Sequence, residues 1–323
     1  MALSKVIKSA STILWNSEVK HVLMLQRGNT AKFMPGAYVF PGGVSEQQHD
    51  FSFPVDSTNF GAVMSQPILC EEMKTDFGMR ITSLRELFEE TGLLMVADKA
   101  NSEKEVLSTL DDPALAKARV KVKEDPSSFK DIFKDFIADV QCLTPWSNWL
   151  TPNIYPKRFN TVFFGIDVKE NHKIDLCSKE MSDHIWKKPS HIIDSVHQGR
   201  SLPPPQFYEL CRIRLLGKMK MHQLTDPTLL YPQVAKCPDD PDIIITLLPG
   251  DFLYQLEDQQ NIRMLRFTKQ QLDLESTTKP IHRMTYHLNP IYTSQQLHIK
   301  NINPKSKDKI HLFYLQQNKP WLH

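Results

Sequence analysis

Glu86, Glu89 and Glu90 stand at i, i+3 and i+4 in the octapeptide Arg85-Glu86-Leu87-Phe88-Glu89-Glu90-Thr91-Gly92. On a helix this spacing puts three carboxylates on one face with no lysine among them. Like charges at i,i+4 cost an isolated helix about 0.2–0.5 kcal/mol per pair, an unfavourable arrangement unless something positive sits over it. Hard oxygen ligands at that density suit Mg2+ or Mn2+, which leave positions open for phosphate oxygens and water. The plain alternative is a solvated acidic face on a surface helix.

The neighbouring residues favour the metal. Ile81, Leu84, Leu87 and Phe88 form an apolar stripe that buries the opposite side of a helix over residues 79–91, and Gly92 is the residue expected just past its end. Leu93, Leu94, Met95 and Val96 follow as a buried strand. Upstream, residues 38–40 read as a strand that ends at Pro41-Gly42-Gly43. Two glycines there permit positive φ and turn a backbone carbonyl toward an ion. The chain has only 11 Gly in 323 residues, yet Gly36, Gly42 and Gly43 fall within eight positions, so glycine is used locally for geometry.

Gly42-Gly43 followed by Arg85-Glu86-Leu87-x-Glu89-Glu90-x-Gly92-Leu93 resembles the box of the Nudix hydrolase family, G-x5-E-x7-R-E-U-x-E-E-x-G-U with U apolar. Members of that family hydrolyse diphosphates linked to a nucleoside. The pattern places its Arg 14 positions after the Gly, whereas Arg85 lies 42 positions after Gly43, an insertion of about 28 residues. Residues 24–27 and 33–43, Trp149-Leu150-Thr151-Pro152 with Arg158-Phe159, residues 204–210 and residues 247–251 are similar to the coenzyme A and acyl-coenzyme A diphosphatase branch of the family.

The resemblance implies an α/β fold: a Nudix α/β/α sandwich with a mixed sheet, an insertion inside the box and a C-terminal extension. It implies a Nudix domain over residues 8–255, with insertions at about 45–78 and 100–142, and an extension over 256–323. It implies metal ligation by Glu86, Glu89, Glu90 and Gly43, and a catalytic set of Glu89, Glu90 and Arg85 in which the arginine orients the glutamates. The activity expected is metal-dependent cleavage of coenzyme A and acyl-coenzyme A to 3′,5′-ADP and (acyl-)4′-phosphopantetheine. The alternatives are another nucleoside diphosphate derivative (NADH, ADP-ribose, a capped RNA end) or a Nudix module that binds a nucleotide without cleaving it.

The box glutamate that precedes the Arg by eight positions has no counterpart here, because position 77 is Phe77. Glu71, Glu72 and Asp76 are the candidates for its role. Glu180 and Asp183 are candidates for a further carboxylate, with exposed surface acids as the alternative. Arg27, Lys157 and Arg158 are candidates for the substrate's phosphates. Tyr38, Phe159 and Phe207 are either stacking platforms for a base or core aromatics.

Composition adds bounds. With 41% hydrophobic and 24% charged residues the chain is ordinary globular sequence, and its net charge of +2 gives no footprint for nucleic acid. No apolar run approaches the about 18 residues of a membrane span. Cys70, Cys142, Cys177, Cys211 and Cys237 are widely spaced and read as reduced intracellular thiols. Lys5 and Lys8 without an acid before Glu18 faintly suggest an organellar leader, against which residues 11–15 match a first strand. Members of the resembling branch are peroxisomal; Trp321-Leu322-His323 is not a Ser-Lys-Leu-like tripeptide, and a mitochondrial address is the alternative.

The other expected elements are a hairpin from residues 12–15 and 21–27, helical pattern over 102–141 with the better segments at 114–123 and 129–140, and a buried strand at 161–166. Residues 185–186 belong to another strand, residues 206–219 form a helix started by Pro204 and Pro205, and residues 263–267 and 285–288 are strand candidates. The lysines between 300 and 309 read as a solvated tail.

Overall fold

The computed structural model describes residues 5–31, 34–63, 66, 69–217, 219–255, 264–272, 278–302, 312 and 315–316. Phe33, most of the lysine-bearing tail and Trp321-Leu322-His323 lie outside the described residues.

Strands β1 (Val6–Asn16) and β2 (His21–Arg27) form the expected hairpin, joined at Trp15↔Val22 and Asn16↔His21. The first strand begins at Val6, earlier than the apolar run suggests, because a later strand pairs with it along its whole length. β3 (Tyr38–Val39) adds to β2, while β4 (Gly42–Val44) pairs with β1 at Ser11↔Gly42 and Ala10↔Gly43. The short α1 (Gln47–Asp50) and two 3-10 turns follow, and then the long α2 (Met73–Thr91). The expected helix is therefore longer by six residues at its start. It ends as expected, at Gly92 in the left-handed conformation.

Beyond α2 the structure departs from the helical reading of residues 102–141. β5 (Leu93–Asp98) is flanked by β6 (Lys104–Ser108) and β7 (Phe136–Ala138) in a three-stranded antiparallel sheet. Between them α3 (Pro113–Glu124) is a true helix, capped by Asp112, whose carboxylate accepts from the N–H groups of Ala114 and Leu115. Residues 129–140 mimic helical spacing because Phe129, Phe133 and Phe136 pack edge-on to one another across a 3-10 turn and a strand.

β8 (Thr144–Leu150), β9 (Arg158–Val168), β10 (Met181–Lys187) and β11 (Leu229–Leu230) complete the main sheet, in the order β10-β2-β1-β9-β8-β11. β9 runs parallel to β1 from Val6↔Arg158 to Asn16↔Val168, and the other pairs, apart from β11 on β8, are antiparallel. The sheet is thus mixed. α4 (Pro189–Asp194) and α5 (Pro204–Ile213) follow β10, with Pro204 in the first turn of α5 as its sequence implies.

Alternation along β1 divides the interior. Ala10 and Leu14 face Leu84, Leu87 and Phe88 of α2, whereas Ile13 and Trp15 face Ile192, Phe207 and Leu210 of α4 and α5. Helices on both faces of a mixed sheet make the α/β/α sandwich.

β12 (Gln233–Cys237), β13 (Asp240–Leu247), β14 (Leu265–Arg266), β15 (Ile281–His287) and β16 (Gln296–Lys300) form a second sheet, with α6 (Lys269–Leu272) after β14. A boundary between residues 255 and 256 would fall inside this sheet, because β13 pairs with β15 from Ile243↔His287 to Leu247↔Arg283. Two fully buried ion pairs hold the C-terminal half together. Glu209 of α5 accepts from the indoles of Trp146 and Trp149, from Ser147 Oγ and from Arg212, and Asp251 takes Arg283 with two hydrogen bonds. His282, beside Arg283, meets Tyr208 of α5 at 3.0 Å.

Candidate active site

The last turns of α2 lie against β1 and β4, and Thr12 and Ser83 are hydrogen-bonded through their hydroxyls at 2.6 Å. That seat brings the three glutamates to the glycine turn. Gly42 has φ +150°, and a Cβ on it would run into the Ala10 carbonyl. A Cβ on Gly43 would collide with the Glu86 carboxylate. Only glycine lets the turn and the acid share this space. The Gly42 N–H donates to Glu90 Oε2 at 2.8 Å.

Arg85 is buried among these acids. Its Nη1 donates to Glu86 Oε1 at 2.9 Å and Glu89 Oε1 at 2.8 Å, and its Nη2 to the Val44 carbonyl at 3.0 Å. The remaining donors go to Asp50, Nε to Oδ1 at 2.9 Å and Nη2 to Oδ2 at 3.0 Å. Asp50 also accepts from Thr82 Oγ1 and the Glu46 N–H. Close approach of α1 depends on Gly78, where a Cβ would strike the Phe51 ring at 2.5 Å.

Asp50 therefore does for Arg85 what was expected of Glu71, Glu72 or Asp76. The first two are exposed, and Asp76 is spent on Arg80, Nε to Oδ2 at 2.7 Å in a fully buried pair. Phe77 packs against Phe60 in the apolar core, so a carboxylate at that position would have no polar partner. The insertion falls after Asp50 rather than before the missing acid. Counting forward from Gly43 instead of backward from Arg85 gives the signal: Asp50 lies seven positions on, one beyond the spacing in the box.

Electrostatics at the site are those of crowded, buried acids. Burial pushes the Glu86 carboxyl up to about 7, with Glu89 adding to the rise against Arg85. Burial likewise raises Glu89, and it raises Glu90 strongly, with Glu86 adding to the second effect. For Arg85 burial works against the charge, but the hydrogen bonds from Asp50 and the charge of Glu86 more than offset it and hold the guanidinium protonated. One cation facing four carboxylates leaves an excess of negative charge.

Among the described residues, no three Asp, Glu, His or Cys side chains converge closely enough to enclose an ion as they stand. Arg85 and Gly42 hold one oxygen each of Glu86, Glu89 and Glu90. The second oxygens of these acids are the donors a hard divalent cation would take, and the glycine turn leaves the room. In kind and charge the site fits such an ion.

The other candidates sort clearly. Glu180 raises both Glu89 and Glu90 by its charge, which places it beside the site. Arg27 opposes the rise at Glu90 and is on the same side. Asp183 caps the N–H of its neighbour His184 on the exposed β10 edge and is not brought in. Arg158 is buried, its Nε donating to the Thr151 carbonyl and its guanidinium lying 5.7 Å from the centre of the Tyr231 ring, so it serves the fold. Lys157 lies over the Phe159 ring at 5.1 Å. Phe207 is core, and Tyr38 carries Arg200 stacked at 3.9 Å.

α3 was not foreseen as part of this region. Its Arg119 donates through Nε and Nη2 to the Glu89 carbonyl and through Nη2 to the Asp175 carbonyl, while Nη1 pairs with the Asp175 carboxylate at 2.8 Å. The segment that leads to Glu180 is thereby fastened to the end of α2, and the N–H of Cys177 completes the attachment at the Glu90 carbonyl.

Comparison with known proteins agrees with this geometry. Residues 54–213 match the family model of the NUDT19 Nudix domain. The putative nudix hydrolase 7 of Caenorhabditis elegans is 33% identical over 327 residues, which cover 97% of each chain. The acyl-coenzyme A diphosphatases NUDT19 of Xenopus laevis and Homo sapiens are each 29% identical, covering 74% and 88% of this chain and 72% and 86% of theirs. A NUDIX hydrolase from Alicyclobacillus acidocaldarius shares the fold with a TM-score of 0.56 at 21% identity, over 66% of this chain and 92% of that one. With its glutamate face, its buried arginine and a relative matched from end to end, the chain belongs to the Nudix hydrolase family.

Proposed function

We propose that the protein hydrolyses the diphosphate of coenzyme A and acyl-coenzyme A, giving 3′,5′-ADP and 4′-phosphopantetheine or its acyl form. The observation that carries the chemistry is the placing of Glu86, Glu89 and Glu90 on one face of α2 against the Gly42-Gly43 turn, with Arg85 locked among them. The choice of substrate is supported by the NUDT19 relatives, whose names describe acyl-coenzyme A diphosphatases.

In this reading Glu86, Glu89, Glu90 and Gly43 hold Mg2+ or Mn2+. A bound divalent ion neutralises the phosphates and lowers the pKa of a coordinated water. Arg85 keeps the Glu86 and Glu89 carboxylates in fixed directions, and the Gly42 N–H does so for Glu90. Glu180 is the proton acceptor that fits by position, and Arg27 the cation placed to meet a phosphate. A peroxisomal address, with the mitochondrion as alternative, goes with the same reading and is checked by imaging the tagged full chain.

Incubation with coenzyme A and Mg2+, followed by chromatography for 3′,5′-ADP, tests the proposal. Product is expected with either Mg2+ or Mn2+. No product with either ion overturns it, and faster turnover of NADH or ADP-ribose reassigns the substrate.

A further inference from the structure

Lys123, in the last turn of α3, places its Nζ 2.7 Å from the Sγ of Cys177. An N–H···O bond is typically about 2.9–3.0 Å long, and sulfur is the larger atom, so this contact is closer than an ordinary hydrogen bond requires. It is close to the separation of a nitrogen and a sulfur joined through one bridging oxygen. Cys177 is 3% exposed, yet Ser178, Lys179 and Glu180, which follow it, are exposed, so a small oxidant reaches the pair from solvent.

The backbone around the cysteine is tied to the active site on both sides. Its N–H donates to the Glu90 carbonyl at 3.1 Å, and its own carbonyl accepts from the N–H groups of Glu180 and Met181. One helical turn before Lys123, Arg119 grips the Glu89 and Asp175 carbonyls. A covalent link at Lys123 would therefore fix the segment carrying Glu180 to α3.

We propose that Lys123 and Cys177 form a reversible N–O–S crosslink under peroxide, a redox lock on the segment beside the glutamate site. The reaction balances as one lysine amine, one cysteine thiol and two hydrogen peroxide giving R–NH–O–S–R′ and three water. The ammonium first releases a proton to solvent. Bonds S–O and N–O form while S–H, one N–H and two O–O bonds break; sulfur and nitrogen each lose two electrons, taken up by the two peroxides. The first stage is ordinary sulfenic acid formation. A dithiol reductant reverses the link to free lysine and cysteine.

Peroxide treatment of the full chain followed by intact and peptide mass analysis tests this without reference to substrate. The expected product gains one oxygen and loses two hydrogens, about 14 Da in all, where sulfenic acid alone adds about 16 Da. Digestion should give a single peptide pair joining Lys123 to Cys177, absent after dithiothreitol and absent in Lys123→Arg and Cys177→Ser. Closing a 54-residue loop should raise the Tm by a few degrees, reversibly. Oxygen added to Cys177 without a joined peptide, a link to another lysine, or an unmodified Cys177 would each overturn the proposal.

Discussion

Arg85 and Asp50, 35 positions apart in the chain, meet in a two-pronged buried pair, Nε to Oδ1 at 2.9 Å and Nη2 to Oδ2 at 3.0 Å. Asp50→Asn keeps the shape and removes the charge that holds the guanidinium. Because the arginine retains Glu86 and Glu89, the cost should fall at the lower end for a broken buried pair, about 3 kcal/mol. Urea unfolding measures it. Turnover should drop by about 10- to 100-fold as the glutamates lose their fixed directions. A variant as stable and as active as the parent removes Arg85 from its orienting role.

Glu89→Gln and Glu90→Gln should each lower turnover by about 100-fold or more with the fold intact, since each removes a charged oxygen donor and leaves a neutral isostere. Circular dichroism together with initial rates reads both halves of the prediction. Wild-type rates in both variants would sink the metal assignment.

Acidity should control stability when divalent ions are stripped away. Glu86 is pushed up to about 7 from an ordinary 4.5, so the folded protein binds that proton more tightly than the unfolded chain. This contribution is complete below 4.5 and is lost as pH rises through about 7, a change on the order of 3 kcal/mol. In EDTA the Tm should therefore fall between about pH 5 and pH 8 from this group. Saturating Mg2+ should flatten the profile, because the ion replaces the proton. A profile in EDTA that is already flat contradicts the crowding of charges described at the site.

Glu209→Gln tests the other half of the molecule. The substitution leaves Arg212 fully buried without its charged partner and forces an amide to meet two indole donors, at a cost of about 3–5 kcal/mol. Denaturant unfolding followed by tryptophan fluorescence should show the loss. A change under 1 kcal/mol would mean that the Trp146 and Trp149 indoles, rather than the charge pair, hold α5 in place.

The helix glutamates, the glycine turn and the buried strands were legible because each depends on local pattern: acids on one face, apolar residues at helical spacing, glycine where backbone must turn. Asp50 was not, since its partner is set by tertiary contact across an excursion whose length no spacing rule supplies. β6 and β7 were hidden for a related reason. Both are short flanking strands, and the phenylalanines from 129 to 136 are spaced so that a helix would stack them as well as the observed turn does. Arg158 matched a family segment, but the sequence did not reveal that its side chain turns inward to Tyr231.

The parallel ladder between β1 and β9 has a bearing on assembly during synthesis. Each of its eleven registered pairs joins residues 152 apart, from Val6↔Arg158 to Asn16↔Val168. Contacts so distant in sequence form late, after the loop between them has been closed. A chain still emerging can have made α2 and the glycine turn while the strand between them lacks its neighbour. Assembly of the carboxylate face should thus wait on residue 168, and truncations ending before it should bind no divalent ion at all.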